Sequence, residues 1–137
     1  MITGNKTMNI EQIREHCLRL PGVTEDMPFG EDVVTFRIEG KIFLCLWLGA
    51  DNPRFAMKLA PERGEELREK YDAVTPAYHW NKKHWSDFAY EQLDARLLAS
   101  WMEESYHLVL HALPKRLRER WINDCQGERD ESVCEDF

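Results

Sequence analysis

The sequence predicts an α+β domain in which helices pack against an antiparallel sheet. The chain has 137 residues, 43% of them hydrophobic and 31% charged, which is typical of one globular domain with its own core. Segments of period two follow one another between residues 33 and 59 and are separated by short turns, the pattern of antiparallel strands. Segments of helical period lie before, between and after the strands. The predicted order is therefore α-β-β-β-α-β-α.

The first helix is predicted from about Asn9 to Leu20. Asn9 is a favourable N-cap, and Gln12 follows three residues later, in the position of a capping box. One face of this helix is apolar, formed by Ile10, Ile13, Cys17 and Leu20. Pro21 and Gly22 then end it.

An acidic linker follows the first helix, from Val23 to Asp32. Pro28 and Gly30 predict a defined turn within it. Its four carboxylates belong to Glu25, Asp26, Glu31 and Asp32. They are compatible with a metal site or with a solvated loop that caps local backbone donors. Because the spacing matches no oxygen-ligand motif, the solvated loop is favoured and no metal site is predicted.

Three strands are predicted next. Val33–Glu39 and Lys41–Leu48 form a hairpin at Gly40, which can adopt a positive φ. The second strand is apolar on both faces and is therefore expected in the middle of the sheet, with helices on one side. Alternation from Arg54 to Leu59 predicts the third strand.

The second half of the chain alternates between helix and strand. A helix begins at Pro61 and runs to about Tyr71, since proline favours the first helical position. A strand is predicted at about His84 to Glu91. The longest helix runs from about Asp94 to Leu113, with a basic helix from Pro114 through Trp121. His107 and His111 lie four residues apart on the long helix, but no third ligand is nearby, so they are predicted to be ordinary surface residues.

The most unusual segment is Tyr78–Trp85, which contains three aromatic residues, two histidines and two adjacent lysines. Cations interleaved with aromatic rings are typical of surfaces that meet phosphates and bases. The alternative is a structural corner whose aromatic rings fill the core while its lysines stay solvated. The sequence alone leaves both interpretations open.

Charge and cysteine usage restrict the function further. The net charge is −7, and residues 123–137 contribute six acids and one base, which predicts a disordered acidic tail and disfavours strong nonspecific DNA binding. The four cysteines form no CxxC pair, and no signal peptide or membrane-length apolar run is present. Reduced thiols and a cytoplasmic location are expected. The predicted organisation is an extension at 1–7, a domain at 8–122 and the tail at 123–137.

Two motifs resemble the MmcQ/YjbR family of small bacterial proteins. They are the segment Pro28–Asp32 and the run Tyr78–Trp85, preceded by the matching opening from Met8 to Asp26. The resemblance covers about residues 8–113. It implies a compact fold similar to frataxin-like and secretion-chaperone-like architectures, and a double-wing mode of DNA binding. It also implies that the signature loop contains Tyr78, His79, Asn81, Lys82, Lys83, His84 and Trp85.

Three functional interpretations follow, none of them catalytic. In the first, the signature loop binds double-stranded DNA, with Lys82 and Lys83 on phosphates, and Arg37, Lys41, Arg54 and Lys58 extending the cationic surface. In the second, the aromatic residues and the sheet face dock a protein partner. In the third, the four linker carboxylates pair with the loop lysines and histidines and hold the loop in place. No nucleophile, metal set or cofactor loop accompanies His79 and His84, so neither an enzyme nor a cofactor is predicted.

Overall fold

The computed structural model describes residues 7–49, 51, 53–77 and 80–127, and side chains up to Trp121. It contains four α-helices, six strands and one 3₁₀ turn among these residues. In chain order they are α1 (Ile10–Arg19), β1 (Val23–Asp26), β2 (Val33–Ile38), β3 (Lys41–Trp47), β4 (Phe55–Lys58), α2 (Pro61–Lys70), β5 (Val74–Pro76), β6 (Trp85–Phe88), the 3₁₀ turn (Tyr90–Gln92), α3 (Ala95–His111) and α4 (Lys115–Gly127).

The six strands form one antiparallel sheet in the order β1-β2-β3-β4-β6-β5. The predicted hairpin is present, with Ile38 opposite Lys41 and positive φ at both Glu39 (50°) and Gly40 (82°). β3 lies inside the sheet between β2 and β4, as its two apolar faces predicted. The predicted α+β class is confirmed.

Helices α1, α2 and α3 cover one face of the sheet. The main core between them contains fully buried residues from each layer, among them Ile13, Phe36, Leu44, Leu67 and Tyr106. The predicted capping box of α1 is present, because Asn9 and Gln12 exchange two hydrogen bonds, of 3.0 and 2.8 Å. Ser105, a buried small residue of α3, donates to the carbonyl of Phe43 at 3.2 Å.

The opposite face of the sheet carries a second, smaller core. Its buried members are Val33, Cys45, Ala56, Ala77 and Trp85, with Ile42, Trp47 and Trp80 packed against them. We call this set the outer cluster. Because most of its strand residues are small, the sheet surface is shallow there and leaves room for aromatic side chains from the loops.

The structure adds two short strands at the sheet edges to the predicted order. Val23–Asp26, predicted to be a linker, is β1, and Val74–Pro76, predicted to be irregular, is β5. Both lack clear alternation, since β1 is largely exposed and β5 contains Pro76. A proline is tolerated on an edge strand, where one N–H direction needs no partner.

Helix α4 is anchored at the β2–β3 turn and continues past the predicted start of the tail. The indole Nε1 of Trp121 donates to Glu39 at 2.7 Å, and Arg120 lies 3.4 Å from the same carboxylate. α4 continues to Gly127, so residues 123–127 belong to a helix. Residues 128–137 and 1–6 lie outside the described part of the chain.

Candidate nucleic-acid interface

The loop between β5 and β6 is organised by Asn81. Its backbone carbonyl accepts hydrogen bonds from the N–H groups of His84 (3.0 Å) and Trp85 (2.9 Å). Its side-chain Oδ1 accepts from the N–H of Lys83 at 3.0 Å. An asparagine that hydrogen-bonds to the backbone two residues later is a common way to stabilise a turn. The Asn81 side chain therefore stabilises the conformation of the loop.

The described residues of the signature loop differ in their accessibility. Asn81, Lys82 and Lys83 are exposed, His84 is half-buried, and Trp85 is only 8% exposed. Tyr78 and His79 lie outside the described residues. The two lysines of the loop are thus exposed to solvent. Trp85 belongs to the outer cluster, and Trp80 of the loop packs against it.

Stacked rings connect the two signature motifs. Trp80 stacks on Trp85 with ring centroids 4.5 Å apart, and Phe29 approaches Trp80 edge-on at 6.0 Å. Phe29 lies in the turn between β1 and β2 and is 58% exposed. Aromatic pairs in these geometries stabilise by about 0.5–1.5 kcal/mol beyond the area they bury. The loop is therefore held to the first turn by aromatic contact.

The third interpretation proposed that Glu25 and Asp26 hold the loop through ion pairs, but these two carboxylates have other partners. Glu25 forms a two-pronged ion pair with Arg14 of α1, at 2.5 and 2.7 Å. Asp26 accepts from Arg37 at 3.1 Å and from the hydroxyl of Thr35. The hydrogen bond with Arg14 holds the pKa of Glu25 below its usual range. The pKa of Asp26 is lowered first by the hydrogen bond from Thr35 and further by Arg37. That interpretation was wrong for these two acids, because nearer arginines are their partners.

The strand cations fall into two groups. Arg54 is mostly buried on the outer face, 3.2 Å from Asp87 and with its guanidinium 4.4 Å from the ring centre of Trp47. Arg37 is similarly paired with Asp26. These two arginines, predicted to extend a cationic surface, neutralise carboxylates of the fold instead.

Lys41 and Lys58 lie at the end of the sheet where β3 begins and β4 ends. Together with His84 they line one groove of about 480 Å³. Lys82 and Lys83 directly precede His84 in the chain. We call the set Lys41, Lys58, Lys82, Lys83 and His84 the cationic end of the sheet.

Sequence reasoning missed the contribution of Phe29 to this site. The available signal was the position of Phe29 between Pro28 and Gly30, which places an aromatic side chain in a turn. The side-chain pattern could not show which segment that side chain contacts.

The described residues provide little support for other chemistry. Burial raises the pKa of the Cys45 thiol to about 12 and raises that of Cys17 as well, so neither is an activated nucleophile. His107 and His111 lie with ring centroids 5.9 Å apart, and within the described chain no three potential metal ligands converge. None of the described helices is long and apolar enough to cross a membrane.

Comparison with known proteins shows which proteins this chain is similar to. The YjbR family model matches residues 18–108. The uncharacterised protein YbdF of Escherichia coli O157:H7 is 33% identical over 111 residues, which cover 80% of this chain and 91% of YbdF. The crystal structure of Deinococcus radiodurans protein DR2400, a DUF419 domain, is 30% identical with a TM-score of 0.77, over 84% of this chain and 88% of that one. A Pseudomonas syringae protein of solved structure is 27% identical with a TM-score of 0.64, over 74% and 98% of the two chains.

Proposed function

This chain belongs to the YjbR family, and from that premise we propose that it is a non-catalytic protein that binds double-stranded DNA through the cationic end of its sheet. The observation that carries the proposal is the convergence of Lys41, Lys58 and His84 beside the exposed loop of Lys82 and Lys83. Cations from separate segments that face the same solvent region suit the regular spacing of backbone phosphates.

We propose the following roles within the loop. Lys82 and Lys83 contact phosphates, and His84 approaches from the groove side. Asn81 and Trp85 fix the loop conformation, and Trp80 offers the more accessible ring. Tyr78 and His79, the remaining residues of the predicted interface, are proposed as further contacts on the basis of the sequence. Contacts made mainly to phosphates predict weak sequence preference and strong salt dependence.

A salt titration of duplex binding tests this proposal. In Lys82→Ala/Lys83→Ala, we expect weaker binding to every duplex tested and a slope of log K against log salt that is shallower by about 2, since two phosphate contacts are lost. Fluorescence anisotropy with a labelled duplex measures both quantities.

The matched control is Arg19→Ala/Lys70→Ala, which removes the same charge from exposed positions on α1 and α2. If both double variants weaken binding equally, only the net charge matters and the loop is not the interface. If Lys82→Ala/Lys83→Ala binds duplex DNA as tightly as the wild type does, the loop is likewise not the interface.

A second candidate function is docking of a protein partner on the aromatic side of the loop. The observation favouring it is that Phe29 and Met27, in one turn, are the two large hydrophobic side chains most exposed among the described residues, at 58% and 44%. Exposed apolar residues that cluster are typical of interaction surfaces.

The two functions are distinguished by which substitution abolishes binding. For a protein partner, Phe29→Ser/Met27→Ser should lose a stoichiometric partner recovered after nuclease treatment, while Lys82→Ala/Lys83→Ala retains it. For DNA binding, the lysine variant is the defective one. A complex that nuclease disperses rules out the protein-docking function.

A further inference from the structure

The groove at the cationic end has an apolar floor. It is formed by the C-terminal part of α3 and by the start of β3 and α2, through Ile42, Ala60, Pro61, Leu108, Val109, Ala112 and Leu113. Its volume of about 480 Å³ lies within the range of about 300–1,000 Å³ seen for small-molecule sites. Its shape and lining therefore suit the hydrocarbon or aromatic body of a small molecule.

The rim of the groove is cationic. Lys41 comes from the start of β3, Lys58 from the end of β4 and His84 from the loop before β6, so three separate segments place basic groups around one opening. No carboxylate is among the described residues that line it. In a chain of net charge −7, this local excess of positive charge selects an anionic ligand.

The N-terminus of α2 adds a further anion-binding feature. Ala60 is its N-cap and supplies no side-chain hydrogen bond to the first turn, while Pro61 occupies the first helical position. The first intrahelical bond runs from the N–H of Gly64 to the carbonyl of Ala60, at 2.9 Å. The first-turn N–H groups therefore lack an intrahelical acceptor, and Ala60 and Pro61 themselves line the groove.

We propose that this groove binds a small amphiphile that carries one anionic head group, a carboxylate or a phosphate, on an apolar body. The head group lies between Lys41, Lys58 and His84, near the start of α2, and the apolar body lies along Leu108, Ala112 and Ile42. This proposal shares Lys41, Lys58 and His84 with the DNA-binding proposal, but it requires neither DNA nor the loop lysines Lys82 and Lys83.

Isothermal titration calorimetry on the full chain tests the ligand class with probes of equal chain length. Decanoate or decyl phosphate should bind with a dissociation constant below about 1 mM. Decan-1-ol, which lacks the charge, should bind at least about tenfold more weakly, since a hydrogen bond to a charged group is worth about one such factor. Decyltrimethylammonium should not bind. Equal binding of the alcohol or the cation, or no binding of either anion, overturns the proposal.

Two substitutions test the location. Lys58→Met removes a rim charge and keeps the aliphatic stem, and should weaken binding of the anion by about tenfold. Ala112→Phe places a ring in the groove from the exposed C-cap position of α3, and should abolish binding without any change in charge. The control is Lys70→Met, at the exposed far end of α2, which should bind as the wild type does.

Circular dichroism and thermal unfolding establish that each variant is folded before titration. If either Lys58→Met or Ala112→Phe is folded and binds the anion as tightly as the wild type, the groove is not the site. No DNA is present in these titrations, so their outcome is separate from that of the salt titration.

Discussion

At the scale of single residues, Gly22 determines how α4 meets the sheet. Its φ is +80°, and a Cβ there would lie 2.7 Å from both the Trp121 ring and Cδ1 of Ile38. Gly40 has a nearly identical φ of +82°, but no atom lies within 4 Å of a Cβ added there. A residue other than glycine would adopt the same unfavourable left-handed backbone at both positions, but its Cβ would clash with neighbouring atoms only at position 22.

Alanine at the two glycines separates these effects. Gly40→Ala should cost about 1 kcal/mol from the left-handed backbone alone. Gly22→Ala should cost about 1–3 kcal/mol more, because the ring of Trp121 must move. Urea unfolding measures both free energies. Equal losses would mean that α4 does not pack against Gly22.

Glu25 provides a pH-dependent contribution to stability. Its hydrogen bond with Arg14 lowers the pKa of the folded carboxyl below the ordinary value of 4.5. A depressed folded pKa stabilises the fold above the unfolded pKa, and this stabilisation is lost as the pH falls through the folded pKa. We expect Glu25→Gln to be less stable than the wild type at pH 7 and to approach it as the pH falls below 4.5 and through the lowered pKa of the folded carboxyl.

Urea unfolding across this pH range tests the expectation, with Glu69→Gln on the exposed face of α2 as the control. The control should leave the wild-type pH profile unchanged. A constant difference between Glu25→Gln and the wild type at every pH would show that Arg14 contributes by packing and not by charge.

At the scale of elements, two loops are joined by the contact of Phe29 with Trp80. A double-mutant cycle of Phe29→Ala and Trp80→Ala should give a coupling free energy of about 0.5–1.5 kcal/mol. Phe29→Ala alone should cost little, because that ring is 58% exposed. Additive effects in urea unfolding would mean that the two loops are independent in solution.

The regular elements were predictable because local signals agree with their packing. The capping box of Asn9 and Gln12, the Gly40 hairpin and the apolar β3 each appear where the sequence placed them. β1 and β5 were missed because an exposed or proline-containing edge strand is stabilised by pairing with its neighbour, and its own side chains carry no period-two pattern.

The candidate site was less predictable because its geometry depends on tertiary contacts. The sequence predicted the lysine-rich loop, but the same residue pattern fits an exposed Trp85 and a buried one. Only the fold shows that Arg54 pairs with Asp87 while Lys58 lines a groove, although both residues belong to the one strand predicted from Arg54 to Leu59. The local spacing of residues does not show which charged side chains, distant in sequence, form ion pairs in the fold.

At the scale of the whole molecule, a cationic end belongs to a chain of net charge −7. The two facts are compatible because Arg14, Arg37, Arg54 and Arg63 are paired with carboxylates. At the groove, by contrast, Lys41 and Lys58 lie beside no carboxylate among the described lining residues, so the local charge there differs in sign from the overall charge.

The segment 128–137 contributes five acids and one base, and its removal changes the net charge from −7 to −3. Since α4 continues to Gly127, a truncation should end there, so that the helix is kept. We expect the truncated chain to bind duplex DNA more tightly. The gain should be larger at about 50 mM than at about 200 mM salt, because repulsion over long distances is screened.

Anisotropy titrations at both salt concentrations test this. The control is the 137-residue chain with four of the five acids of segment 128–137 changed to their amides, which changes the net charge from −7 to −3, as truncation does. If charge repulsion is the cause, the amide variant and the truncated chain should gain affinity equally, and in both the Lys82→Ala/Lys83→Ala change should remove most of that gain. A gain on truncation alone would indicate steric exclusion by the segment. Unchanged affinity in both would show that the tail charge does not reach the proposed DNA-binding surface.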